Sequence, residues 1–266
     1  MTKHVQRDQW HCIERGTGRP LVLLHGIGMS HHIWLTLIDR LADEGRRVLA
    51  FDLPGFGRTP ALRRRAVSVE HMASDLIRVL RKMGIEEPVD IAGSSLGARI
   101  ALEVAREGAA RAVVAISPPG LWRSYRYPPS MVLALGFARF GPRLMPKLTR
   151  RMLQNDTLRA ALLAVPIAAD GKKVPAEDAI SMAEGFAVAP GFWQIALGFS
   201  SLHHCDGITA RCTVVYGRKD WLLPPSFRDR SRLPAHTEWL EPEGWGHVPV
   251  WDDPEGVVKL ILEATA

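Results

Sequence analysis

A chain of 266 residues with 47% apolar and 23% charged residues can bury a sizeable core, which excludes a disordered polypeptide. No run of about 18 uncharged apolar residues occurs, the opening MTKHVQRDQWH has no apolar leader core, and Cys12, Cys205 and Cys212 form no CxxC pair; a cytoplasmic protein with no membrane partner and no disulfide framework is the expectation. The net charge is +6, and residues 119–205 hold ten basic against five acidic residues; with no helix-turn-helix or aromatic-interleaved pattern beside it, this excess reads as a solvated face, not as a nucleic-acid site.

In chain order, Gln9–Arg15 alternates weakly and ends in the turn Gly16-Thr17-Gly18, and Leu21–Leu24 is a short apolar strand running into His25-Gly26-Ile27-Gly28. Ser30–Glu44 has helical apolar spacing at Ile33, Trp34, Leu37, Ile38 and Leu41 and stops at Gly45. Arg47–Phe51 is a strand before the loop Asp52-Leu53-Pro54-Gly55-Phe56-Gly57, and Ser68 caps a helix that runs to Met83. Val89–Ala92 predicts a strand, Leu96–Ala105 a helix and Ala112–Ser117 a strand. From Ser130 to about Leu202 the pattern is several helices separated by Pro142, Pro146, Pro166, Pro175 and Pro190, with no strand. Then Cys212–Tyr216 is a strand, Pro225–Arg232 a helix, His236–Leu240 a strand and Pro254–Glu263 a helix. Alternating strands and helices imply a mainly parallel sheet, here with a helical insert. The expected division is a core of residues 1–118 and 206–266 and a cap of residues 119–205.

Gly93-Ser94-Ser95-Leu96-Gly97 fits G-x-S-x-G between a strand and a helix, the setting of a nucleophile elbow. In that register Ser95, not Ser94, presents its hydroxyl. A serine needs a base, and His247 lies in the glycine-rich loop before the last helix. Asp220, just past the strand Cys212–Tyr216, is placed to accept the other imidazole N–H. The backbone N–H groups of Ile27, between Gly26 and Gly28, and of Leu96, at the start of a helix, are the candidate oxyanion donors.

These segments resemble the α/β-hydrolase superfamily, in the group with a helical cap: His25-Gly26-Ile27-Gly28, then Asp52 to Thr59, the elbow at Ser95, Gly217-Arg218-Lys219-Asp220 and Gly246-His247-Val248-Pro249-Val250-Trp251. The resemblance implies an eight-stranded, mostly parallel sheet with one antiparallel strand, and an active site beneath the cap. Haloalkane dehalogenases and epoxide hydrolases of this superfamily carry Asp where Ser95 stands, which points away from both. The expected activity is hydrolysis of an ester or related acyl bond of a small to medium apolar substrate, with no cofactor. The resemblance extends to cofactor-free haloperoxidases, which share this triad and often act as esterases, and two alternatives stay open: a C–C bond hydrolase of ring-fission-type diketones, whose relatives use a cap arginine, and a non-catalytic receptor on the same fold.

Met131–Phe140 is apolar nearly all round except at Arg139, which implies one face for packing and another for a pocket. Phe137, Trp193 and Val248 are the candidate substrate contacts. The pairs His31-His32 and His203-His204 lack a third ligand at metal spacing, so no metal is expected. Asp52 reads as a brace for its loop, and one of Asp252 and Asp253 as the cap of the last helix. The expected partner is a small-molecule substrate, with the chain a monomer or homodimer.

Overall fold

The computed structural model describes residues 10–122, 127, 129–164, 167–202 and 207–266. Seven strands form one sheet: β1 (Cys12–Arg15), β2 (Arg19–Leu24), β3 (Arg46–Phe51), β4 (Val89–Ser94), β5 (Ala110–Ile116), β6 (Arg211–Val215) and β7 (Glu238–Leu240). Their order is β1-β3-β2-β4-β5-β6-β7; β1 runs antiparallel to β3 and every other pairing is parallel. The resemblance implied eight strands, and the described residues carry seven; the His203-His204 pair and Cys205 lie outside the described residues.

Parallel strands covered on both faces need apolar side chains on both faces, which is why Leu21–Leu24 of β2 reads as an unbroken apolar run. Val22 and Leu24 pack with α2 (Val69–Lys82) and α3 (Leu96–Arg106), while Leu21 and Leu23 pack on the other face with α1 (Leu35–Asp43) and α9 (Pro254–Ala264). Local chemistry sets the helix ends. Ser68 Oγ accepts the His71 N–H to start α2, and Asp253 accepts the Gly256 N–H at 2.9 Å to start α9, with Pro254 in its first turn.

Between β5 and β6 stand five helices and no strand among the described residues: α4 (Pro129–Leu144), α5 (Pro146–Gln154), α6 (Asp156–Leu163), α7 (Ala176–Val188) and α8 (Gly191–Gly198). Pro142 does not divide them; it lies inside the last turn of α4. Pro225–Arg232 departs from its helix expectation and forms two short 3-10 turns, Pro225–Phe227 and Arg230–Arg232. One of the two residues between them explains the break. Arg228 turns its guanidinium inward, donating to the carbonyls of Leu223 at 2.6 Å and Asp220 at 2.9 Å and stacking 4.7 Å from the Tyr216 ring.

At the opposite end of the sheet from the elbow, buried Asp90 receives Arg46, Arg19 at 3.0 Å and Arg111 at 2.7 Å. Arg46 also donates to Thr265 Oγ1 at 2.7 Å and Arg19 to the Thr265 carbonyl at 2.7 Å, so the same cluster holds the end of α9.

Candidate active site

Ser95 stands between β4 and α3 with φ 52° and ψ −117°, a left-handed φ that L side chains rarely adopt. The close packing that holds it there requires glycine on both sides. A Cβ at Gly93 would sit 2.3 Å from the Gly97 carbonyl carbon, and one at Gly97 would sit 2.4 Å from the Leu24 carbonyl oxygen. Strand, turn and helix therefore touch backbone to backbone. Ser94, its neighbour, is fully buried and takes no part in the cavity that Ser95 lines.

Asp220 follows β6 and His247 lies in the loop between β7 and α9. Asp220 Oδ1 accepts the N–H groups of Leu222 at 3.1 Å and Leu223 at 3.0 Å, and Oδ2 accepts from His247 Nδ1 at 3.0 Å. Burial pushes the Asp220 carboxyl up, but the His247 imidazole beside it, with the Leu223 N–H and Arg228, outweighs burial and holds it below the usual carboxylate range. An ionised carboxylate only accepts, so the proton of His247 stays on Nδ1. Nε2 is buried, has no hydrogen-bond partner among the described residues, and carries the free lone pair.

The His247 loop is tied down from both sides. Val248 N–H donates to the Ile167 carbonyl at 2.7 Å, and Asp252 accepts the Gly246 N–H at 2.8 Å and the Ala169 N–H at 3.0 Å. Asp253, not Asp252, caps the helix; Asp252 fastens the loop to the insert.

Ser95 and His247 line one cavity of about 680 Å³. Gly26, Ile27, Gly28 and Met29 form part of its floor, and α4 to α7 form its roof and walls. Gly28 has φ +77°, and a Cβ there would stand 2.6 Å from the Phe186 ring, so the loop after β2 passes directly under the insert. Ile27 is on the cavity lining, and Leu96, as the first residue of α3, has a backbone N–H without a partner inside the helix. Among the described residues no charged side chain lines the cavity, and the polar side chains there are those of Ser95, His247 and Thr149.

Of the candidate substrate contacts, Phe137 is in the lining and the other two are not. Val248 is fully buried in the core between the sheet and α9, because its N–H is anchored to the insert and turns its side chain inward. Trp193 is half exposed on α8, its ring edge-to-face with Phe192 at 4.9 Å and tilted against Phe140 at 6.5 Å. Sequence reasoning missed Ala134, Ala138, Met145, Thr149, Met152 and Phe186 as cavity residues. The spacing of Ala134, Ala138, Pro142 and Met145, three and four apart, was the available signal.

Among the described residues, His11, His31 and Asp52 bring three ligand-type atoms within 4.8 Å of one another. Off the cavity, Asp52 Oδ1 accepts the His31 N–H at 2.7 Å and lies 2.9 Å from His31 Nδ1, and Oδ2 accepts the Arg58 N–H at 2.8 Å; the His11 ring lies 5.1 Å from that of His31. Burial pushes the Asp52 carboxyl up, but these donors and His25 bring it down to about 2. Asp52 thus braces its loop as the sequence implied.

The epoxide hydrolase EphH of Mycobacterium tuberculosis is 29% identical to the chain over 198 residues, covering 71% of this chain and 91% of the relative. In structure, a thermophilic esterase from Thermogutta terrifontis matches with a TM-score of 0.71 at 22% identity, over 96% of this chain and 92% of that one. A meta-cleavage product hydrolase from Pseudomonas fluorescens matches with a TM-score of 0.74 at 21% identity, over 96% and 93%. At such identities these structures share the fold with this chain. The family model described as the alpha/beta hydrolase fold matches residues 19–254, and the chain belongs to that family of hydrolases.

Proposed function

We propose that the protein is a serine hydrolase that cleaves esters, or related acyl bonds, of small to medium apolar substrates through an acyl-enzyme, with residues 119–205 acting as a cap over the core of residues 1–118 and 206–266. One observation carries the reading: Ser95 and the unpartnered Nε2 of His247 open onto a cavity whose other described lining residues are uncharged and, apart from Thr149, apolar. Its volume lies within the range of small-molecule sites.

In this reading Ser95 Oγ attacks the substrate carbonyl carbon while His247 Nε2 takes the hydroxyl proton. The developing oxyanion is held by the N–H groups of Ile27 and Leu96, helped by the positive end of α3. The carbon–oxygen bond to the alcohol breaks, and the alcohol leaves with the proton from His247. Water then attacks the acyl-Ser95 carbonyl, losing a proton to His247; the acyl carbon–Oγ bond breaks, His247 returns that proton to Ser95 Oγ, and the acid is released. Asp220 keeps His247 in the required tautomer and stabilises its cationic form. These steps call on no cofactor. The described cysteines, Cys12 and Cys212, are free thiols, in keeping with the reducing, cytoplasmic setting we propose.

The C–C hydrolase alternative drew on a cap arginine. None of the described cap arginines lines the cavity: Arg139 is buried, donates to the Phe186 carbonyl and lies 5.2 Å over the Phe192 ring, while Arg123 and Arg126 lie outside the described residues. An epoxide hydrolase working by carboxylate attack needs an acid where Ser95 stands. The test is a series of p-nitrophenyl esters of increasing acyl length with Ser95→Ala as control. Rising kcat/KM over several carbons, abolished in the variant, supports the proposal; a maximum at acetate with steady decline contradicts the apolar pocket.

A further inference from the structure

The insert has a second unusual surface, on its outside. From Pro129 to Gln154, spanning α4 and α5, the chain has five basic residues and no acidic one. Arg139 is buried and Arg150 pairs with Glu184 at 2.8 Å, which leaves Arg143, Lys147 and Arg151 exposed. Among these cations sit large apolar side chains in the open: Leu144 is 75% exposed, Phe137 70% and Val132 56%. A helix pair in a water-facing position would normally turn such residues inward. A cluster of exposed apolar groups ringed by one sign of charge is the composition of an interfacial helix, whose apolar side chains enter the headgroup boundary while its cations face anionic lipid.

The exposed face is continuous with the cavity. Leu133, Phe137, Met145 and Leu148 line the cavity, yet each is also exposed. The apolar wall above Ser95 thus runs out through the mouth onto the outer surface of α4 and α5. A second copy of the chain would bring the same unopposed cations face to face, whereas an anionic lipid surface matches both the charge and the apolar groups.

We propose that the α4–α5 face docks the protein peripherally on anionic lipid surfaces, so that apolar substrates pass from the lipid directly into the cavity. This departs from the expectation of no membrane partner, and it concerns contact with a surface: no helix among the described residues is long and apolar enough to cross a membrane. The route for substrate rests on the proposed esterase reading; the docking itself does not.

The test is cosedimentation of the full chain with vesicles of equal phosphatidylglycerol and phosphatidylcholine, and with vesicles of phosphatidylcholine alone. The wild type is expected to sediment with the anionic vesicles at low salt, to partition at least tenfold less onto neutral ones, and to be released as salt screens the charges. Val132→Asp with Leu144→Asp is expected to cut partitioning at least tenfold, as is Arg143→Glu with Lys147→Glu. Neither pair lines the cavity, so hydrolysis of a soluble short-chain ester should stay within about twofold of wild type and report that the variants fold. Because binding is read without turnover, an inactive wild type that still binds would sink the esterase reading alone. Wild type left in the supernatant, variants that bind equally well, or a dimer that Val132→Asp with Leu144→Asp dissolves while vesicles bind neither form, would overturn the docking.

Discussion

His247 Nδ1 lies 3.0 Å from Asp220 Oδ2, and both groups are withdrawn from water. The bond fixes which imidazole nitrogen is free. Asp220→Asn presents an amide that can donate, which favours the opposite tautomer and removes the charge that stabilises a cationic imidazole. Ester turnover should fall about a thousandfold to ten-thousandfold with the fold intact. Steady-state kinetics beside a circular dichroism spectrum check this; a loss under tenfold would put the base elsewhere.

The elbow makes a backbone prediction. With 2.3 Å between a Cβ at position 93 and the Gly97 carbonyl carbon, Gly93→Ala must push strand from helix. We expect a loss of about 3 kcal/mol, at the upper end of overpacking costs, together with loss of activity. Urea denaturation measures the first; an unchanged midpoint would mean that the contact relaxes freely.

His25 predicts a pH dependence of stability. Its Nε2 accepts the Leu53 N–H at 2.9 Å and its Nδ1 donates to the Gly26 carbonyl at 2.7 Å, and burial pushes the imidazole down to about 4. Above pH 6.5 it is neutral in both folded and unfolded chains and contributes no pH dependence. Between 6.5 and 4 the unfolded chain takes up the proton first, so stability falls with falling pH, by on the order of 3 kcal/mol across that window. His25→Gln should lower stability at pH 7 but flatten its decline between pH 6.5 and 4.5, measured by urea midpoints. A parallel decline in wild type and variant would assign the effect to other groups.

Much of the site was legible because it is local. The elbow, the loop after β2 and the turn carrying Asp220 each announce themselves by glycine and a polar residue at a strand end, His247 by the glycines before it, and the double-sided burial of β2 shows in its run Leu21–Leu24. Long-range packing was not legible. Nothing near Val248 says that its N–H reaches Ile167, which turns the side chain into the core. Arg228 reads as a helix residue until its contacts with the Leu223 and Asp220 carbonyls and the Tyr216 ring are known. The same holds for Trp193, an aromatic in a helical stretch whose face is decided by Phe140 and Phe192.

The cavity wall offers a specificity change. Ala138 lines it from α4 with a small side chain. Ala138→Trp should shorten the preferred acyl chain by several carbons, at roughly fourfold in kcat/KM per methylene no longer buried. The ester series reads this directly; an unchanged optimum would place the acyl chain along another wall.

The central claim is that Ser95 is the nucleophile, and the most direct measurement is mass spectrometry of the protein after reaction with a fluorophosphonate probe. The account predicts one adduct, on the peptide bearing Ser95, absent from Ser95→Ala and greatly slowed in His247→Gln, with Ser94 unmodified because it is sealed from the cavity. An adduct on another residue that persists in Ser95→Ala, or an active wild type that takes up no probe, would contradict it.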